Sequence, residues 1–331
     1  MTPRAIGIVY ELHDAYPRRP GDPDDAHVEY EPLATLVALE RAIAEIGHRA
    51  VRLGRPHDLL AAAAKGGVAV DAALSIAEGF GTRNREAWGP VLLEMLGIPQ
   101  LGSDALTLSL SLDKLWTRAV VAAAGVPIAL GVAVASAEEA RALAAPGGFP
   151  CFVKPRWEGT AKGIDRRARV ETQGELVAAV ARVVERYRQP ALVEAFLPGA
   201  EYTVAVVGNP PRALPALQRA LDAQTRIGLH AIEQPGESLP HVTPGALDAA
   251  LEAALAAQAL RAHDALACRD FSRVDFKCDA DGAPVFLEIN PLPTFAPDGS
   301  FGILAELVGT TYEALVGDVL ADALRRVGIA S

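Results

Sequence analysis

Residues Arg273–Phe295 read RVDFKCDADGAPVFLEINPLPTF. Val274, Phe276 and Cys278 alternate with Asp275 and Lys277, the period of a strand. Asp281-Gly282 is a hairpin turn signal, and Pro284 to Leu287 reads as the return strand. A tight turn brings Asp275 near the far end of that second strand, where Glu288 and Asn290, two apart, share a face. Buried strands ordinarily exclude carboxylates, because an unpaired one loses its hydration. Two carboxylates and an amide oxygen converging on one point are hard ligands, the type that Mg²⁺ or Mn²⁺ prefers. Such an ion fills its other positions from water and nucleotide phosphates. The same residues also fit a solvated hairpin with an acidic edge, so the rest of the chain must decide.

With 331 residues, half of them apolar, the chain is long enough for two or three domains and a sizeable core. Its net charge of −10 argues against a nucleic-acid or anionic-membrane partner. Met1-Thr2-Pro3-Arg4 leads straight into a strand-like run, so no signal peptide is expected. No run approaches about 18 strongly apolar residues, the length a membrane helix needs. Cys151, Cys268 and Cys278 lie in unrelated contexts with neither metal nor redox spacing, which fits buried free thiols and a reducing cytoplasm.

Ala5 to Tyr10 reads as a buried strand, GDPDDAHVEYEP (21–32) as a loop, and Leu33 to Gly47 as a helix. RAVRL (49–53) and VAVDAALSIA (68–77) follow as strands. The alternation implies a parallel sheet with covering helices, whose ligands gather beyond the carboxyl ends of the strands. EGFGTRNRE (78–86) stands at such an end, with Glu78 as an anion for an ammonium and Arg83 or Arg85 as a fork for a carboxylate. A second segment opens with a helix capped by Asp113 or Ser111 and closed at Gly125. Ser136 to Glu139 and Thr172 to Glu175 are capping boxes. Residues 190–208 give two strands around Pro198-Gly199, Pro244 to Leu266 a helix, and residues 313–328 a closing helix.

Lys154 ends an apolar strand, and Glu158 to Gly163 offers small residues and two glycines that let backbone N–H groups approach an anion. The loop has neither P-loop nor Rossmann spacing. Lys114 heads its helix and taken alone reads as a solvated lysine; Glu194 and Glu201 taken alone read as strand-edge carboxylates.

Taken together, residues 92–114, 153–164, 192–208 and 273–293 resemble the ATP-grasp superfamily, and within it the D-alanine–D-alanine ligase-like branch. The resemblance implies an α/β ATP-grasp fold: a Rossmann-like pre-grasp domain (1–112), a central lid domain (113–193) and a carboxy-terminal metal-binding α+β domain (194–331). ATP lies between the last two. Carried over by position, Lys114 and Lys154 contact phosphates, with Gly159, Thr160 and Gly163 in the phosphate loop. Glu194, Ala195 and Leu197 meet adenine, and Glu201 the ribose. Asp275, Glu288 and Asn290 hold two Mg²⁺ ions, with Mn²⁺ as a substitute, and Arg273 stabilises the oxyanion. The implied chemistry has two steps. A carboxylate takes the γ-phosphoryl group of ATP as an acyl phosphate, and an amine then displaces phosphate to leave an amide. Relatives are often dimers, which makes a homodimer an expectation.

The sequence also departs from that branch. Glu78-Gly79 stands where a His-Gly pair is usual, and Gly159-Thr160-Ala161-Lys162-Gly163 where Gly-Ser-Ser-Val-Gly is common. Asn290-Pro-Leu-Pro293 runs into Thr294 and Phe295 without the usual glycine, and the substrate-closing loop is replaced by residues 218–235. The ATP half is therefore expected to match. On the amino-acid side Glu78, Arg83 and Arg85, or else Arg226, His230 and Thr294, are expected at the substrates, with the acid and amine left open. An acyl-phosphate-releasing kinase and a non-catalytic nucleotide binder remain the other readings.

Overall fold

The computed structural model describes residues 2–232 and 247–329. Its first sheet is fully parallel, in the order β2-β1-β3-β4, built from β1 (Ala5–Val9), β2 (Arg49–Gly54), β3 (Ala72–Ser75) and β4 (Gln100–Leu101). Ile8 and Leu74 on one face and Val9 and Ala73 on the other have no exposure, as strands covered on both faces require. The helices α1 (Leu33–Glu45), α2 (Pro56–Ala64), α3 (Trp88–Met95) and α4 (Ala105–Leu112) belong to this segment. On α1, Leu36, Leu39, Ala42 and Ile43 form the buried stripe. The run read as a strand over 68–77 is shorter than expected, and α3 and α4 were not foreseen.

The second sheet is antiparallel, β5-β8-β6-β7, from β5 (Gly131–Val134), β6 (Cys151–Pro155), β7 (Arg169–Val170) and β8 (Ala191–Ala195). Asp113 caps α5 (Lys114–Ala123) through Leu115 N and Trp116 N. Ser136 caps α6 (Ala137–Ala142) and Thr172 caps α7 (Gln173–Tyr187), each by accepting from the N–H three residues on. Leu176, Ala179, Val180 and Val183 turn the apolar face of α7 onto the sheet.

The third sheet runs β10-β9-β12-β13 with β11 beside β9, all antiparallel. It comprises β9 (Glu201–Val207), β10 (Arg212–Ala213), β11 (Leu217–Arg219), β12 (Phe271–Cys278) and β13 (Pro284–Asn290). Its helices are α8 (Leu229–Ile232), α9 (Ala249–Ala265), α10 (Ser300–Leu307) and α11 (Tyr312–Arg326). Residues 244–246 of the helix expected from Pro244 lie outside the described residues. One core runs from the first sheet and α1 through Phe271, Phe295 and Phe301 to α11, so the first and third sheets share an apolar interior. A second core under α9 also takes in Val121 and Val126, at and just beyond α5. Among the described residues no helix is long and apolar enough to cross a membrane.

Candidate active site

A cavity of about 380 Å³ opens between the second and third sheets. The second sheet contributes Lys154 from β6 and Glu194 to Leu197 at the end of β8; the third contributes Glu201, Arg273, Asp275 and Glu288. Lys154 and Glu194 share one face of the second sheet, because the antiparallel register pairs Lys154 with Leu192 and Phe152 with Glu194.

The hairpin has one feature its sequence does not announce. Phe276 pairs with Phe286, yet Asp275 pairs with Glu288, so Leu287 is an extra residue in β13. That bulge sets Glu288 directly opposite Asp275 and Asn290 opposite Arg273. The four side chains therefore share one face. The turn spans residues 279–283 instead of a two-residue Asp-Gly loop, with Asp279 Oδ1 accepting from Asp281 N and Ala283 N.

Each expected phosphate cation is already paired with an acid. Lys114 is buried, against the solvated reading. Its Nζ lies 2.9 Å from Glu288 Oε2 and donates to Glu158 O at 2.6 Å. Lys154 Nζ lies 2.8 Å from Glu194 Oε1, while Arg118 takes Glu194 Oε2 at 2.6 Å. Both oxygens of Glu194 are thus engaged, and this carboxylate orients Lys154. Arg273 donates to Asp275 Oδ2 at 3.0 and 3.1 Å, Thr203 Oγ1 donates to Asp275 Oδ1 at 2.7 Å, and Asn290 Nδ2 is 3.4 Å from Asp275 Oδ2. Burial pushes the Glu288 carboxyl up, but Lys114 and Lys154 outweigh it and hold it down at about 2. Glu201 Oε2 pairs with Lys277 Nζ at 3.0 Å, and His230 stands 3.6 Å from its other oxygen. Arg226, His230 and Thr294 all line the cavity.

The loop from Glu158 to Gly163 carries backbone strain: Thr160 has φ 46° and Ala161 φ 54°, a left-handed conformation that costs a β-branched residue most. A side chain on Gly163 (φ 75°) would meet Pro155 Cγ at 2.5 Å, so only glycine fits there.

The loop 78–86 reaches this region differently from expectation. Glu78 lies three residues beyond β3, near enough to Arg273 to act on its charge, but does not line the cavity. Arg83 stacks over Trp116 at 4.6 Å and stands 3.8 Å from Asp113. Arg85 is buried and donates from Nη2 to both oxygens of Glu29 at 2.8 and 2.9 Å. The structure therefore withholds Arg83 and Arg85 from the cavity.

Glu29 was read only as part of a loop. It also accepts from Gly159 N at 2.6 Å and Lys162 Nζ at 2.7 Å, and Asp25 accepts from Gly163 N at 2.9 Å. The loop before α1 is thus tied to the glycine-rich loop by carboxylates. Burial raises the Glu29 carboxyl, yet Arg85 and Lys162 bring it down to about 2. Alternating acids in VEYEP were the one available signal.

Glu86 is the counterpart: buried, with no ion pair among the described residues, its carboxyl is pushed up to about 7 by burial. A folded value above the unfolded one means the native state binds the extra proton, so stability is present in acid and is lost as pH rises from about 4.5 to 7. Glu86→Gln is expected to flatten that loss and raise the melting temperature at pH 8. Melting curves from pH 5 to 8 check this, and an unchanged slope would refute it.

The family model for the D-ala D-ala ligase C-terminus matches residues 120–321. A D-alanine–D-alanine ligase from Alcanivorax borkumensis is 35% identical over 237 residues, 71% of this chain and 72% of that protein. One from Synechococcus is 31% identical over 303 residues, 90% of each. The solved D-alanine–D-alanine ligase of Bacillus anthracis complexed with ATP superposes with a TM-score of 0.70 at 20% identity, covering 98% of both chains. The VanG D-Ala:D-Ser ligase of Enterococcus faecalis gives 0.72 at 18%, covering 97% of this chain and all of that one. The fold is the ATP-grasp fold, and the class is that of ATP-dependent carboxylate–amine ligases, which form a peptide bond and release ADP. The chain belongs to the D-alanine–D-alanine ligase family.

Proposed function

We propose that this ligase joins two small amino acids, or a related small acid and an amino acid, in the cavity between the second and third sheets. The observation that carries the reading is the facing of two lysines against a four-residue hairpin face: Lys114 and Lys154 on one side, Arg273, Asp275, Glu288 and Asn290 on the other. Phosphoryl transfer needs charge neutralisation and alignment more than covalent help, and this set supplies both. In the three-domain division 1–112, 113–193 and 194–331, the nucleotide lies between the last two. The backbone from Ala195 to Leu197 receives adenine, with Glu201 at the ribose. Lys114, Lys154 and the loop holding Gly159, Thr160 and Gly163 receive the phosphates.

The donor set fits a hard divalent cation. Asp275 and Glu288 oppose each other across the ladder, Asn290 is 3.4 Å from Asp275, and all three offer oxygen. Asp275, Glu288 and Asn290 would hold Mg²⁺, which when bound neutralises phosphate charge. Arg273, always protonated and planar, holds the oxyanion that develops at the reacting carbonyl. Glu78 takes the ammonium of the first substrate from the first sheet's side.

Incubating the protein with ATP, Mg²⁺ and an amino-acid panel tests this, reading phosphate release and product mass. A product lighter by one water than its two inputs supports the ligase. A phosphorylated acid as sole product, or ATP bound without turnover, overturns it. Two variants test the nucleotide cleft. Lys154→Ala is expected to lower turnover and raise the KM for ATP, and Glu201→Ala to raise that KM with little change in turnover, as loss of a ground-state contact does. Unchanged ATP kinetics in both would move the nucleotide elsewhere.

A further inference from the structure

A second cavity, of about 540 Å³, lies where the loops 16–26 and 79–85 of the first sheet's segment meet the end of α7. Among the described residues it shares with the first cavity only Glu158 and Lys162, from the glycine-rich loop. The proposed ligase chemistry makes no use of it.

The acids around this cavity are already engaged. Glu29 holds Arg85 and Lys162, and Glu158 pairs with Lys162 and accepts from Gln189 Nε2 at 2.6 Å. Asp24 holds Arg186 at 2.7 Å. Asp113 gives both oxygens to Arg156, with Arg83 standing off at 3.8 Å. Asp22 accepts from the backbone N of Arg19 at 2.7 Å, not from its guanidinium. Among the described residues Arg19 and Arg188 therefore have no carboxylate within ion-pair distance, and Arg83 has only a distant share of one. In a chain of net charge −10, three guanidiniums from three separate segments line one cavity. Like charges gathered in this way repel, and an anion between them offsets the repulsion.

Arg188 adds a second observation. It ends α7 at φ 54° and ψ 40°, the left-handed position that helices usually give to glycine. Its guanidinium reaches the opposite wall, since a side chain on Gly21 would meet Arg188 Nη2 at 3.1 Å. The rest of the lining is aromatic. Tyr16, Phe80 and Trp157 are half-buried there, and Arg19 stacks on Phe80 with its guanidinium carbon 4.9 Å from the ring centre. Guanidinium forks suit carboxylate and phosphate oxygens, and aromatic side chains pack against planar rings.

We propose that the second cavity binds a small anion carried on a planar ring, a carboxylate or a phosphate. Arg19, Arg83 and Arg188 take the charge, and Tyr16, Phe80 and Trp157 the ring. The ligand binds alongside ATP, not in its place. Because Glu158 and Lys162 line both cavities, its binding changes the affinity for ATP. The site itself does not rest on the ligase reading.

The test is calorimetric titration of the full chain, first without nucleotide, with phenyl phosphate, benzoate, inorganic phosphate and phenol. A ring-bearing anion is expected to bind at least ~10-fold more tightly than inorganic phosphate or phenol, the scale of one lost contact to a charged group. The tighter of phenyl phosphate and benzoate identifies the anion. Arg19→Ala and Arg188→Gly are each expected to weaken that probe by about 10-fold. Arg188→Gly also relieves the left-handed backbone, so it is expected to melt no lower than wild type, which separates lost binding from lost fold. With saturating ADP and Mg²⁺ present the probe is expected still to bind, with a shifted affinity. Displacement by ADP places the probe in the first cavity and overturns the assignment. So does an affinity unchanged in both variants, or no binding of either ring-bearing probe. Inorganic phosphate as tight as phenyl phosphate overturns the ring contact, and an affinity unmoved by ADP overturns the coupling. A protein that binds the probe but makes no peptide keeps this site and loses the ligase reading alone.

Discussion

Glu288→Ala is expected to lower turnover at least ~100-fold, about 2.7 kcal/mol of barrier. Three contributions combine. The variant removes a carboxylate held ionised at about 2, the direct opposite of Asp275 in the ladder and the partner of Lys114 at 2.9 Å. Losing the oxygen weakens the site proposed for Mg²⁺, and losing the charge frees Lys114 to swing from its place. Glu288→Gln separates the two effects, since the amide keeps an oxygen and the shape but not the charge. Steady-state turnover across a Mg²⁺ titration is the measurement. Near wild-type rates at limiting Mg²⁺ in a folded Glu288→Ala protein would refute the metal assignment.

Asp270→Ala is expected to cost on the order of 3–5 kcal/mol of stability, the range for breaking a buried ion pair. Asp270 is fully buried and joins three parts of the fold. It accepts from Gly102 N of the first sheet's segment at 2.7 Å, from Asn209 Nδ2 beyond β9 at 2.7 Å, and from Arg326 Nε and Nη2 on α11 at 2.6 Å. Removal leaves a buried amide and a guanidinium without their acceptor. Thermal and urea unfolding measure the loss. Asp281→Ala, on the exposed hairpin turn, is the control expected to change little. A loss no larger than the control's would show that water replaces the carboxylate at this joint.

The strands and several helix starts were legible in the sequence because local chemistry fixes them. Ala5 to Val9 is apolar enough to be covered on both faces, and Asp113, Ser136 and Thr172 each satisfy an N–H that a helix start leaves open. The alternation of RVDFKC gave the strand, and the ordered motifs gave the family. Tertiary structure decided the rest, because pairing between distant elements carries no local signature. The bulge at Leu287, which puts Glu288 rather than Leu287 opposite Asp275, depends on how β13 settles against β12. Arg83 and Arg85 looked available to a substrate, but the charges that claim them come from Asp113 and Glu29, 30 and 56 positions away in the chain. A residue's type is set by the sequence, but whether its charge is spent or free is set by what packs against it.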